Sequence, residues 1–385
     1  MRDAVICAAV RTPVGKRGGG LSGVHAVDLS AHVLEALVQR AGIDPAVVDD
    51  VFWGCVSQIG EQTYNVARNA ALAAGWPETV PGVTIDRQCG SSQQAVAFAA
   101  ATVQSGQADV IVAGGVESMS RVPMGSSIGD GSAGRPLGPR FMERYGVAPN
   151  QGVGAEMIAE RWGFSRTQLD EYSLSSHERA AKAQADGAFD DEIVPVTTPE
   201  GTVVRTDEGI RPGGTLEKLA TLKTPFKADG VISAGNASQI SDGSAALLVT
   251  TSEKARELGL RPLVRISTTV MAGDDPVIML TAPIPATAKA LQRSGLSIGD
   301  IGVFEVNEAF APVPLAWQAE TGADLDRLNP RGGAIALGHP LGGSGARIMT
   351  TLVHTMVSTG TRYGLQTMCE GGGMANATVL ELVTD

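Results

Sequence analysis

The chain has 385 residues, 48 of them Gly and 20 Pro, with 43% hydrophobic, 4% aromatic and 18% charged side chains. That composition excludes disorder and a coiled coil, and at this length two or three core-bearing units are expected. Thirty basic against 41 acidic side chains leave a net charge of −11, the reverse of a general nucleic-acid or anionic-membrane binder, so neither partner is expected. The four cysteines, Cys7, Cys55, Cys89 and Cys369, have no CxxC or CxxH spacing. No disulfide framework and no metal site are therefore expected, and reduced, cytoplasmic surroundings fit best.

In chain order, the apolar run at 4–10 behind Arg2 reads as a buried strand. It is too short for a signal peptide and runs into Arg11-Thr12-Pro13. Residues 36–56 carry helix-like apolar spacing, a stop at Gly42, an Asp-containing turn and a strand-like run. The same outline returns at 289–310, with its stop at Gly295. Each copy is followed by a second unit. In the first, a β-rich approach at 83–85 reaches Cys89, then an Ala-rich helix (93–105) and an apolar strand (110–113). In the second, Gly332-Gly333-Ala334-Ile335 leads to His339, then a helix (346–357) and a strand ending near Cys369.

Helices alternating with continuously apolar strands predict an α/β fold of duplicated halves with buried sheets. The first half is placed at 1–118, completed by about 240–261 through a returning strand at 244–250, and the second at 262–385. Between them, 119–239 reads as an inserted loop domain with a Gly/Pro-rich stretch (123–149) and a capped helix (165–185). Insertions on rigid α/β scaffolds commonly shape binding sites.

Several pattern matches carry no weight. Gly18-x-Gly20-x-x-Gly23 and Gly129-x-Gly131-x-x-Gly134 lack a strand-to-helix turn, and the GxSxG match at 125–129 lacks a strand-elbow-helix context. His25, His32, His177 and His354 show no ligand spacing and read as surface or packing residues. Cys89 differs, because Asp86-Arg87-Gln88-Cys89-Gly90-Ser91-Ser92 places it where a strand ends and a helix begins. The helix N-terminus is expected to lower the thiol pKa there, although a buried structural thiol is an equal reading of the local sequence. His339 lies in a Gly-rich loop stiffened by Pro340 and suits proton transfer or polarising a carbonyl. Cys369-Glu370-Gly371-Gly372-Gly373 places a thiol before bare backbone able to donate N–H groups to an oxyanion. Asn307 and Glu308 follow an apolar strand, and each of these segments taken singly is also compatible with a plain turn.

Together, Cys-Gly-Ser at 89–91, Asn-Glu-Ala-Phe at 307–310, Gly-His-Pro at 338–340 and Cys-x-Gly-Gly-Gly at 369–373 resemble the thiolase family end to end. The resemblance implies the layered αβαβα thiolase fold with a loop domain. It implies Cys89 as acyl-carrying nucleophile and Cys369 as the second acid/base. His339 matches the residue that activates Cys89 and lines one oxyanion hole, Asn307 the residue holding that hole's water, and the N–H groups of Cys89 and Gly371 the second hole. Arg211 and Ser238 match coenzyme A contacts, within a stretch (205–227) of five cations against three anions. Coenzyme A enters as a substrate, no bound cofactor is implied, the partners are acyl-CoA and CoA, and a homodimer or homotetramer is expected, with the strand at 110–115 and the 123–149 loop as interfaces.

One departure bears on substrate. Where many thiolases carry Met-Gly or His-Met-Gly, this chain has Asn150-Gln151-Gly152, a pattern resembling actinobacterial degradative thiolases. Asn150 and Gln151 are therefore expected in the substrate pocket. The implied activity is thiolytic cleavage of a 3-ketoacyl-CoA to acetyl-CoA and a shortened acyl-CoA. Its alternatives are condensation of two acetyl-CoA and a non-catalytic acyl-CoA or lipid binder, the latter disfavoured by the presence of all four motifs.

Overall fold

A computed structural model describes residues 2–129, 131–132 and 134–384. The first half runs β1 (Val5–Arg11), β2 (Gly15–Lys16), α1 (Ala26–Ala41), β3 (Asp50–Gly54), α2 (Val66–Ala73), β4 (Gly82–Ile85), α3 (Ser91–Ser105) and β5 (Val110–Ser118). The inserted region holds α4 (Pro139–Tyr145), α5 (Gln151–Trp162), α6 (Arg166–Ala185), β6 (Val196–Thr197), β7 (Val203–Val204) and α7 (Leu216–Ala220). Then follow β8 (Ser241–Thr250), α8 (Ser252–Glu257), β9 (Val264–Gly273), α9 (Pro283–Ser294), β10 (Val303–Val306), α10 (Pro312–Thr321), α11 (Ala334–Leu337), α12 (Leu341–Thr359), β11 (Tyr363–Glu370) and β12 (Met374–Leu382).

Ten strands form one sheet along the path β10-β11-β12-β9-β1-β8-β5-β3-β4, with β2 beside β8, and β6 and β7 pair apart from it. Parallel pairs sit toward both ends, β3 with β4 and β5, and β10 with β11, while the centre is antiparallel. The two halves join through a short pairing of β1 with β9, Val5 opposite Arg265 and Ile6 opposite Val264. β5 and β8 are buried along their whole length, which is why they read as continuous apolar runs rather than alternating ones.

Three apolar clusters define five layers. Leu29, Leu34 and Leu37 of α1 pack with Trp53, Val112 and Leu248 on one face of the first-half strands. Val96 and Val103 of α3 and Met349 and Leu352 of α12 pack with Ile111, Leu247, Val303 and Leu380, between strands of both halves. Ala286 and Ala290 of α9 and Trp317 of α10 cover the far face with Phe304 and Val379. The order is helix, sheet, helix, sheet, helix. Each fully buried Leu contributes about 1.5–3 kcal/mol, so the central pair α3 and α12 is fixed from both sides. Their N-terminal ends approach closely, since a Cβ on Gly345 would lie 2.3 Å from Gln93 N, and α12 also abuts the end of β3, where a Cβ on Gly342 would lie 2.6 Å from Cys55 Cα.

α6 starts at a capping box in which Ser165 and Gln168 exchange side-chain and backbone hydrogen bonds, and it packs on α7 and α11. β8 begins three residues before the returning strand read from sequence and inserts between β1 and β5. β5 is consequently an interior strand, flanked by β3 and β8, and cannot serve as the interface expected at 110–115. The edge strand on that side is β4.

Candidate active site

β4 ends at Ile85, and a tight elbow carries the chain into α3. The Asp86 carboxylate accepts Gln88 N–H at 2.7 Å; Ser91 Oγ accepts Arg87 N–H at 2.9 Å and donates to Gln88 O at 2.5 Å. Gln88 is forced to φ 47°, a left-handed conformation that costs energy in a non-glycine residue. The elbow sets Cys89 just ahead of α3, packed against Met119, Leu341, Ile348 and Met368. Gly90 is dictated by its neighbour, since a Cβ there would fall 1.9 Å from Glu370 Oε1.

Cys89 is only 5% exposed, and this depth reverses the expectation of a lowered thiol pKa. Burial pushes the thiol up to about 12; the Glu370 and Glu117 carboxyls add to the rise, while the N–H groups of Cys89 and Gly371, aimed at the sulfur, oppose it. Desolvation outweighs the helix N-terminus at this depth. Cys369, at the end of β11, is also buried and is held well above its ordinary value, first by burial and then by Cys89. The two thiols from opposite halves thus share one centre.

His339 precedes α12. Its backbone N–H reaches Gln239 O at 3.2 Å and Ser241 Oγ at 3.1 Å. Burial, with a smaller push from Arg347, lowers the imidazole to about 3, so the ring is neutral. Its Nδ1 lies 2.6 Å from Ser344 Oγ, whose own hydrogen goes to Pro340 O at 2.9 Å. Ser344 therefore accepts from Nδ1–H, and the lone pair is left on Nε2. Nε2 lies 3.5 Å from Asn307 Nδ2. Asn307 is buried, and its Oδ1 has no partner among the described residues, an acceptor open to a bound donor such as water.

Behind Asn307, the Glu308 carboxylate accepts from Tyr172 OH (2.9 Å), Ser176 Oγ (2.7 Å), Asn329 Nδ2 (3.0 Å) and Ile335 N (3.1 Å). It thereby ties α6 and α11 to the end of β10. Sequence reading noticed the Asn-Glu pair without a reason for the Glu.

Beside this centre opens a cavity of about 270 Å³, lined among others by His177, Arg211, Lys218, Gly235, Gln239 and Ile335. The basic character of its rim is greater than the sequence balance suggests. Asp207 is turned inward onto Arg11 at 2.8 and 3.0 Å, and Glu208 accepts Gly20 N–H on the first half. His177, read as a surface or packing residue, belongs to this wall: its Nδ1 accepts Arg211 N–H at 3.2 Å, and burial followed by the Arg211 charge lowers it to about 4. Ser238 is not in the lining; it is half-buried, with its N–H on Ala309 O at 2.9 Å. A larger apolar hollow of about 450 Å³, with Phe52, Val83 and Phe98, lies on the outer side of β4 and α3, away from the thiols.

Asn150 is exposed, and its Oδ1 caps α5 through Gly152 N (3.0 Å) and Val153 N (3.2 Å), which accounts for its residue type without a ligand. Gln151 is half-buried at the first position of α5. The next residue, Gly152, abuts the Phe226 ring, which meets Phe310 edge-on at 6.1 Å. Phe310 and Cys369 share an apolar cluster with Ile278, Met279 and Ile335.

Two buried thiols, a neutral imidazole and a Gly-rich backbone, set beside a basic-rimmed cavity, have the chemistry that thiol-based group transfer requires. The thiolase N-terminal domain matches residues 4–253 and the thiolase C-terminal domain residues 260–382; the chain belongs to the thiolase family. It is 51% identical over 387 residues to the steroid 3-ketoacyl-CoA thiolase FadA6 of Mycobacterium tuberculosis, covering 99% of this chain and 94% of that one. It is 45% identical to the 3-oxoadipyl-CoA/3-oxo-5,6-dehydrosuberyl-CoA thiolase of Escherichia coli, over the full length of both. The crystal structure of the Bacillus anthracis acetyl-CoA acetyltransferase superposes with a TM-score of 0.92 at 41% identity, covering 100% of this chain and 99% of that one.

Proposed function

We propose that this protein is an acyltransferase that cleaves 3-ketoacyl-CoA thioesters with coenzyme A, through an acyl group carried on Cys89. The observation that carries the reading is the pairing of two buried thiols with a neutral His339 whose Nε2 carries the lone pair, 3.5 Å from Asn307 Nδ2, and with Gly371 N–H directed at the Cys89 sulfur. Nε2 takes the Cys89 proton, and the thiolate attacks the 3-keto carbon. The new alkoxide is stabilised by the N–H groups of Cys89 and Gly371. Cleavage of the carbon–carbon bond leaves acyl-Cys89 and an acetyl-CoA enolate. The enolate oxygen is held by protonated His339 and a water on Asn307, and Cys369 delivers a proton to its carbon. Free CoA gives its thiol proton to Cys369 and attacks the acyl-Cys89, and Cys89 leaves as the thiol after recovering the proton from His339. Protons and charges balance over the two halves.

Coenzyme A is a substrate here, and Arg211, Lys218 and Gln239 offer its pantetheine and phosphates a polar, net basic wall. Ser238 contributes from the loop that precedes β8, beside that wall. Ring-derived or otherwise bulky 3-ketoacyl chains are the substrate class we favour, because the FadA6 relative is a steroid thiolase and Gln151 stands where many thiolases have Met. The condensing direction uses the same groups and is favoured only by the acetyltransferase neighbour at 41% identity. A homodimer is supported by the free β4 edge and the neighbouring exposed Val83 and Phe98, and four unpaired cysteines favour a reducing, cytoplasmic setting. Among the described residues no helix is long and apolar enough to cross a membrane.

A panel of 3-ketoacyl-CoAs, linear and cyclic, incubated with CoA and scored for acetyl-CoA release tests the function. Higher kcat/KM for cyclic or long chains than for acetoacetyl-CoA is expected. A strong acetoacetyl-CoA preference unchanged by Gln151→Met would remove the substrate assignment.

A further inference from the structure

One side chain touches both the coenzyme A wall and the loop that carries His339. Gln239 Nε2 has two hydrogens and three carbonyl acceptors in reach: Gly209 O at 2.9 Å, Ile335 O at 2.8 Å and Ala336 O at 3.1 Å. Two of these belong to α11, the single helical turn that runs through Gly338 into His339. Its Oε1 accepts from Arg211 Nη2 at 3.3 Å. The backbone of the same residue closes the loop: Gln239 O accepts His339 N–H, and also the Ser241 hydroxyl at 2.8 Å. Ser241 Oγ in turn accepts His339 N–H.

Space around this amide is as tightly specified as its hydrogen bonds. A Cβ on Gly209 would lie 2.6 Å from Ala336 O and 2.9 Å from Gln239 Nε2; one on Gly338, at φ 101°, would lie 2.3 Å from Ser241 Oγ. The amide is thus held in one orientation, its NH₂ toward α11 and its oxygen toward the exposed cation. An Arg has five donors in a fixed fork, so Arg211 keeps others free for a phosphate while Gln239 holds this one.

We propose that Gln239 is a positioning residue with two separable arms: its amide nitrogen fixes α11 and hence the height of His339, and its amide oxygen orients Arg211 toward coenzyme A. The proposal rests on the thiolase reading above. It predicts that the arms come apart on substitution. Gln239→Glu keeps an acceptor for Arg211 and loses both N–H donors to α11. Gln239→Leu loses both arms at similar size. Arg211→Gln removes the far end of one arm only.

The test is steady-state kinetics on the three variants with thermal unfolding as the folding control, together with the rate of Cys89 alkylation by iodoacetamide, which needs no substrate. A loop displaced by a fraction of an ångström costs about 10-fold or more in rate. Gln239→Glu is expected to lower kcat and the alkylation rate about 10-fold, with a smaller change in KM for CoA. Arg211→Gln is expected to raise that KM about 10-fold and to slow alkylation far less than Gln239→Glu does. Gln239→Leu should show both defects. Equal alkylation rates for Gln239→Glu and the parent protein, or the same kcat and KM changes in all three variants, overturn the proposal. If the parent protein cleaves no 3-ketoacyl-CoA, the functional reading fails by itself, and the alkylation comparison still decides whether Gln239 governs His339.

Discussion

The proposed catalytic centre and the proposed coenzyme A wall are built on opposite physical terms. The centre is buried: Cys89, Cys369, His339 and Asn307 are each at most 5% exposed, and every ionisable group among them is pushed toward its neutral form. The wall, centred on Arg211 and Lys218, is open and charged. A buried neutral site does not hold a thiolate at rest. It makes one only when a carbonyl arrives to take the charge, with fixed N–H groups ready for the oxyanion. The proposed role of the exposed wall is binding and not charge stabilisation. Substitutions in the centre should therefore act on kcat, and those in the wall mostly on KM.

The sharpest break would come from Cys89→Ala, which removes the covalent route; turnover is expected to fall by several orders of magnitude with the fold intact by circular dichroism. Cys369→Ala should also lose turnover, yet still take up an acetyl group from acetyl-CoA on Cys89, because its job is a proton and not the acyl bond. Next in size is Ser344→Ala. Without the acceptor for Nδ1–H the His339 tautomer is no longer set, and kcat is expected to drop about 10- to 100-fold, with little change in KM for CoA. A pure KM effect would blur the contrast between centre and wall. Gly345→Ala places a Cβ against Gln93 N, forcing α3 and α12 apart at the ends that carry Cys89 and His339. A destabilisation of about 1–3 kcal/mol, read by thermal or denaturant unfolding, should accompany a loss of kcat.

The smallest effect concerns pH. Burial raises the Glu370 carboxyl to about 8, with Arg87 opposing, and its charge raises the Cys89 thiol. Below that pH the group is neutral and Glu370→Gln should leave the alkylation rate of Cys89 unchanged; above it the variant should react faster, by a few-fold. The stability sign follows from the same shift. A carboxyl whose folded pKa lies above its unfolded one contributes stability that is fully present below the ordinary carboxylate range and is lost as pH rises through about 8. Glu370→Gln should flatten that slope in unfolding measurements.

How much of this was readable beforehand follows the same division. Cys89, Cys369 and Asn307 stood out at places where a strand meets a turn or helix and His339 in a Gly-rich loop, but each segment alone was compatible with a plain turn, and their roles came from the resemblance to thiolases. The alternating helices and uniformly apolar strands likewise gave duplicated α/β halves with buried sheets, since burial on both faces leaves that mark on β5 and β8, while the five-layer order came from the resemblance. What stayed hidden depended on side-chain contacts that only the folded chain makes. Ser344 and Gln239 look like ordinary polar residues until the fold sets one on His339 and the other on Arg211, 28 residues away. His177 meets Arg211 across 34 residues. The thiol pKa was misjudged for a related reason: a helix N-terminus is local and visible in sequence, whereas the depth of burial is a property of the assembled layers.

The central claim is that Cys89 carries the acyl group. Incubating the protein with a 3-ketoacyl-CoA in the absence of free CoA, quenching in acid and mapping the adduct by peptide mass spectrometry tests it most directly. The account predicts a thioester of the shortened acyl chain on the peptide containing Cys89, discharged when CoA is added before the quench. An adduct on Cys369, or acetyl-CoA release with no protein-bound acyl group at any time, would contradict it.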